Sequence, residues 1–279
     1  MIQSATSPAV PENKHLAGAT KPLEGIFFAL FLISFVIVWL MTLLPRWIPG
    51  QAGWLEAFLL IATAATTLAK LSQQLPAQNV FLAAGIIAAI AGTVQAIGAL
   101  SGIPFGPYFY TASAGPKIFN VLPWSIPVVW IIVLFNARGV ARLILRPWRK
   151  GRLYGFRLIA VTTALTLVFA FGLEPFATQI KHYWLWQPTK LGWLWQGAPP
   201  INFLGWLVTA LLVLSFVTPT LINKSHKKFP PDYHPLLVWL LLGLLFVTGD
   251  LKHQLWISAA GLVITSAITA FLAVRGARW

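Results

Sequence analysis

Apolar runs of about 20 residues recur along almost the whole chain, and each is long enough to cross the roughly 30 Å hydrocarbon core of a bilayer. The predicted spans are residues 24–45, 53–71, 79–100, 122–144, 154–176, 202–221, 235–250 and 255–274. The sequence therefore predicts an all-α fold, namely a polytopic membrane protein of about eight transmembrane helices.

Composition supports a single membrane domain. The 279 residues are 58% hydrophobic and 9% charged, and the mean hydropathy is +0.76, far outside the range of soluble globular domains. We expect the transmembrane domain to cover residues 23–279. Residues 1–22 are polar and rich in small residues, and they lack the pattern of a cleavable signal peptide, so a disordered tail is predicted. The chain contains no cysteine, which excludes disulfides and thiolate chemistry.

The net charge of +14 suggests either a nucleic-acid partner or basic cytoplasmic loops. With eight spans and both termini in the cytoplasm, the twenty basic residues divide into fifteen inside and five outside. This asymmetry predicts a multi-pass protein of the bacterial inner (plasma) membrane with cytoplasmic termini and no nucleic-acid partner. Arg138, Arg142 and Arg146 share one helix face, where anchoring to lipid phosphates is favoured over catalysis.

Only six residues are acidic, and three of them, Glu56, Glu174 and Asp250, fall near the predicted outer helix ends. Ionisable groups at membrane depth are costly and often functional. Glu174 lies in the apolar run FAFGLEPF (169–176), a setting that favours the protonated acid needed for proton donation. For Glu56 and Asp250, pairing at the interface is preferred over catalysis.

Two predicted outer loops have unusual compositions. Residues 102–117 are rich in glycine and proline, which indicates a shaped loop rather than a helix. Residues 182–206 hold the densest group of aromatic side chains in the chain. An interfacial aromatic belt explains most single tryptophans, but the clustering favours an aromatic wall, which suits a polyene ligand and stabilises a carbocation. Gln95 in the third span is a candidate for the cavity lining or for a hydrogen bond to a neighbouring helix.

Several blocks between residues 80 and 215 resemble the carotenoid biosynthesis membrane protein family, which includes the CruF-type carotenoid hydratases. The resembling blocks are residues 106–110 (GPYFY), the segment 117–130, Glu174-Pro175, and residues 184–186, 197–199, 202–203 and 205–206. Their order between hydrophobic spans carries the resemblance. The departure from the family pattern is that no aspartate accompanies Glu174 in the preceding turns.

The resemblance implies hydration of the terminal double bond of an acyclic carotenoid by acid protonation and water capture, without a cofactor or a metal. Glu174 would donate the proton, and the catalytic candidates are Glu174, Asp250, Tyr108 and Tyr110. The candidates for substrate binding are Trp184, Trp186, Trp195, Asn202, Trp206, Lys117 and Gln95. The expected partners are a carotenoid or another long polyene lipid and the surrounding membrane lipids.

The sequence is also compatible with a function of a different class, namely that of a noncatalytic carotenoid-binding or scaffold subunit of a membrane pigment–protein complex. Other classes fit less well. A prenyltransferase is expected to have Asp-rich motifs, whereas this chain has only two aspartates, and a diiron enzyme is expected to have clustered histidines, whereas the five here are isolated. A transporter would be marked by an internal repeat or broken helices, and neither is evident.

Overall fold

The computed structural model describes residues 14–44, 53–188, 194–221 and 230–279, with the side chains of the first helix described from residue 23 onward. Within these residues, eight helices are long and apolar enough to span a membrane, which confirms the predicted fold class. The helices are α1 (Lys14–Leu43), α2 (Gly53–Ser72), α3 (Ala77–Ser101), α4 (Ser125–Ile144), α5 (Tyr154–Pro175), α6 (Pro200–Val217), α7 (His234–Lys252) and α8 (Trp256–Ala277).

The observed helices differ from the predicted spans mainly at their ends. Helix α1 begins at Lys14, within the segment predicted to be a tail, and residues 1–13 of that segment lie outside the described residues. Helix α5 contains Pro175 and continues as one π-helical turn, Phe176–Ile180. A π turn accommodates one extra residue and is frequent at functional sites.

Helix α4 lies at the centre of the bundle, where it packs against α2, α3, α5, α7 and α8. Hydrogen bonds between polar side chains join the helices where apolar packing alone gives little specificity. Asn136 Nδ2 on α4 donates to Thr67 Oγ1 on α2 over 3.0 Å. Trp39 Nε1 on α1 donates to Thr248 Oγ1 on α7 over 2.9 Å. These bonds fix neighbouring helices in register.

The two ends of the bundle differ in structure and charge. The loop end carries the connections 102–124 and 181–199. Their described parts contain four short strands, β1 (Tyr108–Tyr110), β2 (Lys117–Ile118), β3 (Leu122–Pro123) and β4 (Trp184–Trp186). The basic end carries the connections 73–76 and 145–153 and the beginning of α7. The large cavity described below lies at the loop end.

The Phe105 ring anchors the first loop between two helices. Phe105 is 1% exposed, and its ring lies directly against Gly98 on α3 and Gly205 on α6. A Cβ atom at Gly98 would come within 2.6 Å of the ring, and one at Gly205 within 2.3 Å. Only glycine leaves space for the ring at both positions, so the two glycines determine how deeply the loop enters the bundle.

Substitution of Gly98 by alanine should lower the thermal unfolding midpoint of the purified protein in detergent. The added methyl group overpacks the contact with Phe105, a change that typically costs about 1–3 kcal/mol. Gly85→Ala is the matched control on the same helix, because nothing lies within 4 Å of a Cβ atom there. The control should unfold at the wild-type temperature or slightly above it. Equal midpoints for the two variants would contradict the role given to Phe105.

Candidate active-site cavity

A cavity of about 1000 Å³ opens at the loop end, between helices α1 to α6 and the two long connections. This volume is at the upper end of the range for ligand sites in proteins, roughly 300–1,000 Å³. Its lining combines many aromatic rings with several polar and ionisable side chains. The lining side chains used below are Glu56, Gln95, Tyr108, Tyr110, Glu174, Trp184, Trp186, Asn202 and Trp206. The cavity has room for a substantial part of a long apolar ligand.

Antiparallel pairing of β1 with β4 builds one aromatic wall of this cavity. In the register, Tyr108 is opposite Trp186 and Tyr110 is opposite Trp184. Side chains alternate between the two faces of a strand, so these four rings share one face. That face lines the cavity, while the intervening Phe109 is 49% exposed. The ring centroids of Tyr108 and Trp186 are 5.2 Å apart.

The Glu174 carboxyl is buried at the cavity wall, where its side chain is 1% exposed. Asn202 Nδ2 donates to Oε1 over 2.6 Å, and Trp184 Nε1 donates to Oε2 over 3.2 Å. The buried N–H of Trp186, which also lines the cavity, has no acceptor within hydrogen-bonding distance in the described residues. Each oxygen keeps lone pairs for a proton, since one donor occupies only part of its capacity.

Gln95 holds the two tyrosines of β1 in place. Its Oε1 atom accepts hydrogen bonds from the hydroxyl groups of Tyr108 and Tyr110, each over 3.0 Å. Burial raises the pKa of Tyr108 to about 12. Burial also raises the pKa of Tyr110 well above its usual value of 10. Both phenols are therefore neutral at physiological pH and can act as hydrogen-bond donors or acceptors.

Glu56 lies in the first turn of α2 and joins that helix to the second loop. Its carboxylate forms an ion pair with Lys181 and accepts a hydrogen bond from the Tyr183 hydroxyl over 2.5 Å. Burial, reinforced by the Glu56 charge, raises the pKa of Tyr183 well above 10. All three residues line the cavity. The interfacial pairing expected for Glu56 is thus present, and it lies within the site.

The proline after Glu174 explains the position of Trp195. Pro175 has no backbone N–H, so the Phe171 carbonyl one turn earlier lacks its helical donor. Trp195 Nε1 donates to that carbonyl over 3.0 Å, and the Trp195 and Phe171 rings meet edge to face at 5.5 Å. Trp195 therefore satisfies a backbone acceptor beside the Glu174 turn.

Eight of the eleven predicted site residues line the cavity, and the other three do not. Those that line it are Gln95, Tyr108, Tyr110, Glu174, Trp184, Trp186, Asn202 and Trp206. Trp195 lies behind the wall as described above, and Lys117 is an exposed residue whose Nζ atom donates to the Tyr110 carbonyl over 2.8 Å. Asp250 is 0% exposed near the end of α7, and among the described residues neither of its oxygens has a partner at hydrogen-bonding distance.

The structure adds residues to the site that the sequence did not single out. Trp130 on α4 stacks on Trp206 with centroids 4.4 Å apart, and Trp124, Phe105 and Tyr183 also line the cavity. Trp124 and Trp130 lie in the segment 117–130, which is one of the blocks that resemble the family. The resemblance was therefore the one sequence feature that pointed to them. Within the described part of the chain, no group of three or more His, Asp or Glu side chains is arranged to hold a metal ion.

Comparison with known proteins defines the class to which this fold and site belong. The sequence pattern of the family described as "Carotenoid biosynthesis protein" matches residues 54–274, which is most of the chain and all of α3 to α7. The chain therefore belongs to the carotenoid biosynthesis protein family, and the resemblance stated above is confirmed. The membrane fold and the family together support a role in carotenoid biosynthesis.

One similar protein has a named activity. It is the bisanhydrobacterioruberin hydratase of the archaeon Haloarcula japonica, which is 27% identical over 127 residues. The matched region covers 44% of this chain and 40% of the relative, so the likeness spans less than half of either protein. No solved structure matches the chain.

The two buried phenols of β1 should make stability fall in alkaline solution. An unfolded tyrosine has a pKa near 10, whereas the folded pKa of Tyr108 is about 12. The stabilisation from the neutral phenols is complete below about pH 10 and is lost as the pH rises toward 12, because the unfolded chain releases protons first. Thermal unfolding midpoints between about pH 8 and 11 should therefore fall more steeply for the wild type than for a Tyr108→Phe, Tyr110→Phe variant.

Tyr233 provides the control for this measurement, because its side chain is 42% exposed. A Tyr233→Phe protein should keep the alkaline slope of the wild type. If the double variant also kept that slope, the phenols of β1 would not be the source of the alkaline instability.

Proposed function

We propose that the protein hydrates the terminal double bond of an acyclic carotenoid end group, with Glu174 as the proton donor. The observation that carries the proposal is the buried Glu174 carboxyl at the wall of an aromatic cavity. Membership of the carotenoid biosynthesis family and the similarity to a named hydratase support it. We also propose that the protein lies in the bacterial inner membrane with both termini in the cytoplasm.

Burial without a counter-ion suits Glu174 to the acid role. Among the described residues, no basic side chain forms an ion pair with this carboxyl. An ionised carboxylate is costly to bury without a cation, so these surroundings favour the protonated acid. After the proton leaves, the N–H groups of Asn202 and Trp184 remain to stabilise the carboxylate. The site therefore supports both charge states that a reaction cycle requires.

The proposed reaction balances without a cofactor. Glu174 adds a proton to the terminal double bond, and the positive charge moves to the adjacent tertiary carbon. A water molecule bonds to that carbon and then returns one proton to the Glu174 carboxylate, leaving a tertiary alcohol. The net change is the addition of one water molecule, and the acid is regenerated for the next cycle.

The aromatic wall has a role in each stage of this reaction. Trp184, Trp186 and Trp206 line the cavity, where the negative electrostatic potential of an indole face would stabilise the cation. Tyr108 and Tyr110 lie on the same wall as neutral hydroxyl groups, where they would position the attacking water. We place Asp250, Trp195 and Lys117 outside this reacting set, because they do not line the cavity.

Expression of the chain in cells that accumulate lycopene should yield pigments heavier by one water molecule per hydrated end group. Extracted pigments would be separated by chromatography and weighed by mass spectrometry. Cells with the empty vector provide the background. If folded protein accumulates, pigment copurifies with it and no pigment gains mass, the noncatalytic carotenoid-binding function replaces the hydratase for this substrate.

Glu174→Gln should lower the yield of hydrated pigment by at least about 10²-fold, the usual contribution of a positioned general acid. Glutamine keeps the shape and one oxygen acceptor, so the fold should be retained. The matched control is Asp250→Asn, which converts a second buried acid to its amide outside the cavity. The control should keep most of its activity. If a folded Glu174→Gln protein is fully active, Glu174 is not the donor, and a large loss in Asp250→Asn alone would transfer the role to Asp250.

A further inference from the structure

A second cavity, of about 270 Å³, lies at the basic end of the bundle. It is formed by α2, α4, the connection after α4 and the beginning of α7. The lining includes five basic side chains, Lys70, Arg138, Arg142, Arg146 and Arg149, and a single carboxylate, Asp232. The cavity therefore has a strong excess of positive charge and belongs to no part of the site described above.

The carboxylates near this cavity leave most of its charge unbalanced. Glu24 forms an ion pair with Lys70 over 3.3 Å. Asp232 accepts hydrogen bonds from Gln74 Nε2 over 2.6 Å and from the backbone N–H of His234 over 3.1 Å. In the described ranges, no ion pair joins Arg138, Arg142 or Arg149 to a carboxylate. An anion that entered the cavity would meet these guanidinium groups directly.

Two residues that line this cavity, Arg138 and Asn136, each have one buried polar atom without a hydrogen-bond partner in the described structure. Arg138 is 7% exposed. Its Nη2 atom donates to the Leu221 carbonyl over 2.9 Å, but its Nε atom has no acceptor. Asn136 is 2% exposed, and its Oδ1 atom has no donor. Buried polar atoms are rarely left unpaired in proteins, so these two side chains have unused hydrogen-bonding capacity beside the cavity.

Anchoring of the chain in the membrane explains part of this charge but not its arrangement. An anchoring arginine extends its guanidinium group toward the lipid phosphates and stays accessible. Arg138 instead lies buried within the bundle. This differs from the sequence prediction, in which the four-residue spacing of Arg138, Arg142 and Arg146 favoured anchoring to lipid phosphates. Arginines that converge on one concave site are the usual means of binding a phosphate group, because each presents several N–H donors in a fixed plane.

We propose that this cavity binds a phosphate-bearing group, supplied in the membrane by the headgroup of an anionic phospholipid. The cavity lies at the end of a membrane-spanning bundle, the level at which headgroups are found. A glycerol headgroup also carries hydroxyl groups, which would donate to the free Oδ1 atom of Asn136. Inorganic phosphate shares the anionic chemistry and is the alternative source.

The test is the thermal unfolding midpoint of the full-length protein in neutral detergent at about 0.15 M salt. Phosphatidylglycerol, phosphatidylcholine and inorganic phosphate would be titrated separately. Phosphatidylglycerol should raise the midpoint in a saturable manner, and phosphatidylcholine should not. An Arg142→Gln, Arg149→Gln variant should need at least about tenfold more phosphatidylglycerol for half of the effect.

The matched control is Arg152→Gln, Arg157→Gln, which removes the same charge from the following exposed segment without altering the cavity lining. It should respond like the wild type. A saturable response to inorganic phosphate that only the cavity variant loses would identify the soluble anion as the source. Equal responses of the two double variants, or equal effects of the two lipids, would overturn the proposal.

A simpler pair of variants is available if the cavity variant does not fold. Arg149 and Arg152 are both exposed, so glutamine at either position should leave the fold intact. Only Arg149 lines the cavity. Arg149→Gln should therefore weaken the response to phosphatidylglycerol by at least about threefold, and Arg152→Gln should leave it unchanged. The absence of any difference between these single variants would also overturn the proposal.

Discussion

The architecture of the loop end depends on one short antiparallel ladder, the pairing of β1 with β4. These strands belong to connections that are far apart in the sequence, and their register places two tyrosines and two tryptophans on one face. A slip of one residue in this pairing would put Leu185, instead of the two tryptophans, on the same face as the tyrosines. The ladder also positions Trp184, whose indole N–H reaches the Glu174 carboxyl. The backbone hydrogen bonds of this ladder therefore position both the aromatic wall and the indole donor of Glu174.

The surroundings of Glu174 show how a membrane protein tolerates a buried carboxyl. Two neutral donors bind its oxygens, and within the described structure no basic side chain forms an ion pair with it. Neutral donors stabilise a carboxylate less than a salt bridge would. An ion pair would hold the carboxylate in its charged form. Glu56, which pairs with Lys181, is the contrasting case within the same cavity.

The helices were predictable from the sequence because hydrophobic length is a local property, and all eight spans were found. Their ends were less predictable. Helix α5 continues beyond Pro175 as a π turn. The Phe171 carbonyl, which the proline leaves without its helical donor, accepts a hydrogen bond from Trp195, 24 residues away. The burial of Glu174 was also predictable, since this carboxyl group lies within an apolar run of the sequence. The donors that hold it were identified only as aromatic and polar candidates, because spacing along the chain does not reveal such contacts.

Asp250 marks the limit of reasoning from residue type. It shares with Glu174 the two properties that made both residues candidates, an acidic group and a position near a helix end. The structure separates them, because only Glu174 lines the cavity. Glu56 differs from Asp250 in the opposite way. It forms the expected ion pair, and it also lines the cavity. Sequence patterns identify buried acids well, whereas the direction in which each side chain points depends on the tertiary packing.

The position of the large cavity at one end of the bundle has a consequence for long substrates with two identical termini. A rod-like polyene can insert only one terminus at a time into a cavity that is shared by α1 to α6 at a single end. If hydration occurs there, modification of the second terminus requires the molecule to leave, reverse its direction in the bilayer and bind again. The singly modified compound is then released as a free intermediate. The ratio of singly to doubly modified products would depend on how well this intermediate competes with unmodified substrate for the cavity.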